Sequence, residues 1–128
     1  MKLSKVEKTI CISRKRQAVM REDYLISGVG KRAIHLAMLF AGDSSKPISS
    51  LLSEHQLHCL LIEAAKAASK NGWKIAWVVR QYGGTPNCED WNISICNISR
   101  HEVQLGTLGG IIEKHHFLNQ HYLAQKAE

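Results

Sequence analysis

Three side chains that can bind a metal ion or take part in catalysis lie close together in the middle of the chain. His55, His58 and Cys59 occupy positions i, i+3 and i+4 of a segment with helical spacing, so one flank of a helix can present all three. Imidazole and thiolate are preferred zinc ligands, and a histidine can also activate a neighbouring cysteine as a nucleophile. The chain has no Cys-x-x-Cys or His-x-x-x-His pair to complete a closed zinc site. We therefore interpret this flank as solvated and predict neither a bound metal nor a cofactor.

Other histidines and cysteines offer further chemistry, but the sequence does not join them into a set. His101 falls in a predicted turn, and His115 and His116 fall on a predicted last helix. His115 lies on the apolar seam of that helix, where a histidine is usually a hydrogen-bonded core residue. The wide spacing of the cysteines predicts four free thiols: Cys11, Cys59, Cys88 and Cys96. Whether any of these groups forms a metal or catalytic site is left open.

The central histidines depend on the helix that carries them. Apolar residues recur at intervals of three and four over residues 57–68, which predicts a helix with one buried face. Ser53 and Gln56 have the spacing of a capping box at its start, and Asn71-Gly72 can close its end in the left-handed conformation. This segment is therefore expected to be a scaffold, with only one flank available for chemistry.

The period of the pattern changes to two after this helix, which predicts a strand over residues 73–80. Trp73 and Trp77 share one face of that strand. We expect this face to pack against the helix, because an indole buries more apolar area than an aliphatic side chain. The opposite face is half polar, which favours a central position in a sheet.

The remaining segments complete an α+β fold. The patterns predict strands over residues 7–13, 91–98 and 103–108 and helices over 18–25, 31–40 and 111–125. The helix over 18–25 and the structure of residues 14–30 are left open, and so is disorder of residues 1–6. The order β-(α)-α-α-β-β-β-α predicts a single domain over residues 1–128, with an antiparallel sheet of three to four strands and helices packed mainly on one face.

Composition and charge bound the class of protein. A chain of 128 residues with 45% hydrophobic and 22% charged residues is typical of one globular domain. The longest apolar run is too short to span a membrane, and the N-terminal residues lack the apolar segment of a signal peptide. These features predict no membrane partner and a cytoplasmic location. The net charge is +6, and residues 1–32 carry nine basic and three acidic side chains, so all of the excess lies there.

This basic first quarter of the chain is the strongest indication of a ligand. Clustered lysine and arginine side chains attract phosphate backbones. Tyr24 is the only aromatic residue before Phe40, so this region has few side chains on which unpaired bases could stack. Recognition of a duplex or of the phosphate backbone fits better. We predict that six residues contact nucleic acid: Arg14, Lys15, Arg16, Arg21, Lys31 and Arg32.

These features together predict a small basic protein that binds nucleic acid without catalysis. The chain has no serine elbow and no phosphate-binding loop, which weighs against a conventional enzyme. One alternative is a protein–protein interaction module, such as an inhibitor, an immunity-type adaptor or a self-associating homodimer. A second is a ribonuclease-like enzyme that uses His101, or His115 and His116. The predicted order of elements resembles that of small ribonuclease toxins of bacterial toxin–antitoxin systems, although no sequence motif of those proteins is present.

Overall fold

A mixed sheet of six strands with helices packed against it makes up the part of the chain that the computed structural model describes, which is residues 2–12, 18–30, 32–40, 51–81 and 88–116. The strands are β1 (Lys2–Ile12), β2 (Ala18–Ser27), β3 (Ile34–Phe40), β4 (Ile75–Gln81), β5 (Asn92–Cys96) and β6 (Glu102–Thr107). The helices are α1 (Glu54–Lys70) and α2 (Leu108–Lys114), and a 3₁₀ turn at Cys88–Asp90 precedes β5. Among these described elements, no helix has both the length and the apolar character needed to cross a membrane. The α+β fold class is confirmed.

The six strands lie side by side in the order of the chain. Neighbouring strands are antiparallel except β3 and β4, which are parallel, with His35 opposite Ile75 and Met38 opposite Val78. Parallel strands cannot be joined by a tight turn, and α1 lies in the long connection between these two. The prediction of an antiparallel sheet with three to four strands is therefore wrong, because two segments interpreted as helices are strands.

Strand β3 occupies the segment that the sequence predicted as a helix over residues 31–40. That segment is apolar nearly all round, and a short run of this kind fits a buried strand as well as a buried helix. In the structure β3 lies between β2 and β4, and the neighbouring residues Leu36 and Ala37 are both fully buried. A strand that is covered on both faces shows no alternation, which is why the periodicity indicated the wrong element.

Residues 18–25 also belong to a strand rather than to a short helix. Strand β2 pairs with β1 on one side and with β3 on the other, so both neighbours satisfy its backbone groups. The adjacent acidic residues Glu22 and Asp23 are both buried in it, which conceals the usual alternation of apolar and polar positions. The first strand is confirmed but longer than predicted, since β1 begins at Lys2 and includes residues for which disorder was left open.

The hydrophobic core lies between α1 and one face of the sheet. The helix contributes the fully buried Leu60 and Ala64, as its apolar stripe predicts. Strand β4 contributes Ala76 and Val78, whereas Trp77 is only half-buried. The prediction that the tryptophan face covers the helix is wrong for Trp77, whereas Trp73, which precedes β4, is packed against the core. The small side chain at position 76 lets α1 approach the sheet closely, and the bulky indole of Trp77 lies on the opposite face.

The start of α1 is closed by the predicted capping box. The Gln56 N–H donates to Ser53 Oγ at 3.1 Å, and the Ser53 N–H donates to Gln56 Oε1 at 3.0 Å. These two bonds satisfy backbone donors that the first turn of a helix otherwise leaves unpaired. The capping residues therefore fix where the helix begins.

The end of α1 is closed by a Schellman motif. The Gly72 N–H donates to the Ser69 carbonyl at 3.0 Å, and the Trp73 N–H donates to the Ala68 carbonyl at 2.8 Å. Gly72 has a φ of 75°, in the left-handed region that glycine adopts without strain. This confirms the predicted stop and sets the direction in which the chain leaves the helix toward β4.

Helix α2 begins earlier than the sequence predicted. The Gly110 N–H donates to Thr107 Oγ1 at 3.2 Å, so the helix begins at Leu108 and includes the two glycines that were expected to precede it. Gly109 lies close to the backbone of Glu89, since an added Cβ would come within 3.3 Å of its carbonyl oxygen. The predicted last helix is confirmed as far as Lys114, and its part beyond residue 116 lies outside the described residues.

Replacing Gly72 with alanine should destabilise the protein by about 1–2 kcal/mol, the cost of a Cβ in the left-handed conformation. No atom lies within 4 Å of the added Cβ, so the loss should come from backbone strain alone. Gly72→Asn should lose less, because asparagine adopts this conformation more readily. Urea unfolding of the three proteins measures the difference, and an unchanged stability of Gly72→Ala would contradict the proposed origin of the helix stop.

Candidate nucleic-acid interface

The structure describes the side chain of one of the six basic residues predicted to contact nucleic acid. Arg32 is exposed in the turn between β2 and β3. Arg21 is described only through its backbone in β2, and four residues lie outside the described part of the chain: Arg14, Lys15, Arg16 and Lys31. Three of these four belong to the segment that joins Ile12 to Ala18, which are paired across β1 and β2. The other five residues therefore stay predictions, and the surroundings of Arg32 are known.

A small cavity opens beside Arg32, between the β2–β3 turn and the C-terminal end of α1. We call it the turn cavity. Its volume is about 250 Å³, and it is lined by Val29, Arg32, Ile34, Ser69, Gly72, Trp73 and Lys74. Two cationic side chains, a hydroxyl group and an indole thus surround a space whose apolar wall is formed by the buried Val29 and Ile34.

Backbone contacts hold the walls of the turn cavity in place. The His35 N–H donates to the Lys74 carbonyl at 2.9 Å, which ties the start of β3 to the segment after α1. Gly30 has a φ of 73°, and a Cβ at this position would lie 2.6 Å from Ser69 Oγ. Only glycine therefore lets the turn come this close to α1. The Schellman motif sets the position of Trp73, so the three segments that form the cavity are fixed relative to one another.

A wider groove lies on the other side of the same helix end, between α1 and β6. We call it the lysine groove. Its volume is about 590 Å³, and it is lined by Glu63, Lys66, Ala67, Lys70, Asn71, Val103, Gln104, Leu105 and Lys114. Its three lysines are exposed. Two of them lie in the last turns of α1, where the negative end of the helix dipole favours positive charge.

The turn cavity and the lysine groove together form a basic surface around the C-terminal end of α1, which we call the α1-end surface. Five basic side chains contribute to it: Arg32, Lys66, Lys70, Lys74 and Lys114. Sequence analysis missed the four lysines, because residues 33–128 hold equal numbers of basic and acidic side chains. The spacing of four residues between Lys66, Lys70 and Lys74 is the signal that could have found three of the four.

Glu63 is the single acidic residue among the described residues that line the two cavities. Lys114 Nζ donates to its Oε1 at 2.8 Å, and His115 Nε2 donates to its Oε2 at 2.5 Å. Burial acts to raise the pKa of this carboxyl, but the hydrogen bonds and charges of Lys114 and His115 outweigh burial and hold the pKa below its usual value. His115 is 2% exposed, as expected for a hydrogen-bonded core histidine. The cluster therefore neutralises Glu63 and ties α2 to α1.

The flank of His55, His58 and Cys59 does not have the properties of a reactive site. Cys59 is fully buried, and its Sγ lies 3.7 Å from His55 Nδ1. Desolvation by burial raises the pKa of the Cys59 thiol to about 11, so the thiolate that a nucleophile or metal ligand requires is disfavoured at neutral pH. Within the described ranges, no three His, Cys, Asp or Glu side chains are grouped closely enough to hold a metal ion.

A histidine–aspartate pair lies on the face of the sheet opposite α1. His35 Nε2 lies 3.1 Å from Asp23 Oδ1, and their side chains are 33% and 3% exposed. Sequence analysis missed this pair because it assigned both residues to helices, and the contact exists only because β2 lies next to β3. The two histidines considered for catalysis besides His115, which are His101 and His116, are exposed.

The α1-end surface offers groups that bind anions and an indole that can stack on an aromatic ligand. Comparisons with protein-family models, with curated proteins and with solved structures find no significant match to this chain.

Replacing Glu63 with glutamine should destabilise the protein by about 1–3 kcal/mol near neutral pH, because Lys114 and His115 lose the charge that they contact. The folded-state pKa of Glu63 lies below its ordinary value of 4.5. This stabilisation is therefore fully present above that pH and is lost as the pH falls through the folded-state pKa. Urea unfolding of both proteins at a series of pH values should show a difference that shrinks only in acid. A difference that is independent of pH would contradict this assignment.

Cys59 should react with iodoacetamide far more slowly than the half-buried Cys88 in the native protein. A thiol with a pKa of about 11 is buried and almost entirely protonated at neutral pH. Peptide mapping by mass spectrometry measures both rates in one sample. Unfolding in urea should make the two rates similar, and equal rates in the native protein would be inconsistent with the buried position of Cys59.

Proposed function

We propose that this protein binds nucleic acid, and that it contacts the phosphate backbone through its basic first quarter together with the α1-end surface. One observation carries the proposal. Two cavities on either side of one helix end are lined by Arg32 and four lysines, and the one described acid among them, Glu63, is paired with Lys114 and His115. Arg32 belongs to both regions, so it links the basic first quarter to the lysines of the later chain.

The exposure of these basic side chains favours phosphate as their ligand. All five cationic residues of the α1-end surface are exposed, so little desolvation opposes their contact with a charged backbone. A regularly charged polymer can meet several of them at once and release its counterions, which is the main source of affinity in such complexes. A small anion would contact one or two of these side chains, whereas a polymer can contact more of them.

The surroundings of Cys59, His115 and His101 support binding without catalysis. Cys59 is buried with a raised pKa, and the His115 ring is held by Glu63 beneath the surface. His101 lines neither cavity, and its backbone N–H donates to Asn97 Oδ1 at 3.0 Å in an exposed turn. A ribonuclease-like activity would need a pair of accessible acid and base groups beside the basic surface.

Neutralising the basic surface should weaken nucleic-acid binding and its salt dependence together. For the wild-type protein we expect affinity for a labelled oligonucleotide to fall about a thousandfold or more between low and physiological salt, as for about six phosphate contacts. The triple variant Arg32→Gln, Lys66→Gln, Lys70→Gln should lower the slope of log affinity against log salt by about three. Neutralising Arg14, Lys15 and Arg16 should have a similar effect. Fluorescence anisotropy at a series of salt concentrations measures these slopes.

Arg100→Gln is the matched control, because Arg100 is exposed and lines neither cavity. It should leave the slope nearly unchanged. Affinity that is insensitive to salt, or unaffected in both triple variants, would overturn the proposal. A stable complex or dimer that salt does not dissociate would instead favour a protein-interaction module, and cleavage of RNA by the purified protein would favour the ribonuclease alternative.

A further inference from the structure

We propose that the turn cavity binds one unpaired base of a single-stranded nucleic acid, with the base stacked on Trp73 and the adjoining phosphates held by Arg32 and Lys74. This inference rests on the proposed function and names its ligand more closely. It changes the expectation from sequence, which favoured a duplex because the basic first quarter contains almost no aromatic residues. In the folded protein Trp73, which is distant in sequence, lies beside Arg32 in the turn cavity.

The position of Trp73 makes its indole suitable for stacking. It is half-buried, because part of the ring packs against the core and the remainder lines the cavity. Tyr24, the aromatic residue of the first quarter, is only 3% exposed and is unavailable to a ligand. Trp77 is also half-buried, but it does not line the turn cavity. Trp73 is therefore the described indole that a base could reach beside the basic residues.

The polar groups around the indole fit the phosphates and sugar of a nucleotide. Arg32 and Lys74 are exposed at the rim of the cavity, and Ser69 contributes a hydroxyl group to the same lining. A guanidinium group offers several donors to phosphate oxygens, and an ammonium group adds a compact charge. The side chains thus place apolar and aromatic groups within the cavity and charge at its edge, as a nucleotide requires.

The size and rigidity of the cavity favour a single base. Its volume of about 250 Å³ is slightly below the range of about 300–1,000 Å³ that is usual for sites of drug-sized ligands. The Schellman motif, the bond from the His35 N–H to the Lys74 carbonyl and the close approach of Gly30 to Ser69 hold its walls. A preformed site loses little conformational entropy on binding. In a duplex the bases are stacked on one another, so only an unpaired base can enter.

The test compares three ligands of equal length that present similar phosphates: a single-stranded oligothymidylate, the same strand with abasic sites throughout, and a duplex. Wild-type protein should bind the intact single strand about fivefold or more tightly than the abasic strand, the ratio expected from stacking of one base. Trp73→Leu should remove this preference, and Trp73→Phe should retain most of it. Fluorescence anisotropy measures all affinities at one fixed salt concentration.

Trp77→Phe is the matched control, because it alters a half-buried indole within β4 that does not line the turn cavity. It should keep both the preference for the intact strand and the quenching of tryptophan fluorescence by the oligonucleotide. Trp73→Phe should lose the quenching. Should Trp73→Leu fail to fold, Trp73→Phe and the abasic strand still decide the question. Equal wild-type affinity for intact and abasic strands would overturn this inference and leave the proposed function standing, whereas no binding to any of the three ligands would overturn both.

Discussion

The hydrogen bond from the Trp73 N–H to the Ala68 carbonyl is the contact on which the rest of the site depends. It forms because Gly72 adopts a left-handed conformation that turns the chain back across the end of α1. The chain then enters β4 in register with β3, where the Lys74 carbonyl accepts the His35 N–H. One closing motif therefore sets the end of the central helix, the start of a central strand and one wall of the turn cavity.

The same helix end explains how several like charges are tolerated close together. Lys66 and Lys70 lie four residues apart on α1, a spacing at which like charges on a helix repel each other by a few tenths of a kcal/mol. The negative end of the α1 dipole lies beside them and offsets some of this repulsion. The carboxylate of Glu63 offsets the charge of Lys114 through their ion pair. The helix dipole and Glu63 thus reduce the repulsion between the basic side chains of this surface.

The sequence predicted those elements in which one face is buried and the other is wet. The leucine stripe of α1, its capping box and its glycine stop follow from local pattern alone, and the structure has all three. Strands β2 and β3 could not be predicted in this way, because neighbours on both sides remove the alternation that periodicity detects. The site was predictable only in part. The clustering of charge in the first quarter of the chain identified Arg32. The positions of Trp73 and Lys74 beside it depend on tertiary contacts, which a local sequence pattern does not predict.

The strand order has a consequence for how the molecule reaches its final form. Because the strands lie in chain order, β1 to β3 and β4 to β6 are two local meanders, each built from contacts between segments close in sequence. Among the described strands, the two meanders pair only between β3 and β4, and this pairing requires closing the long connection that contains α1. Val29 and Arg32 come from the first meander, and Trp73 and Lys74 precede the second. The turn cavity thus exists only once the halves have joined, so the ability to bind there would report that folding is complete.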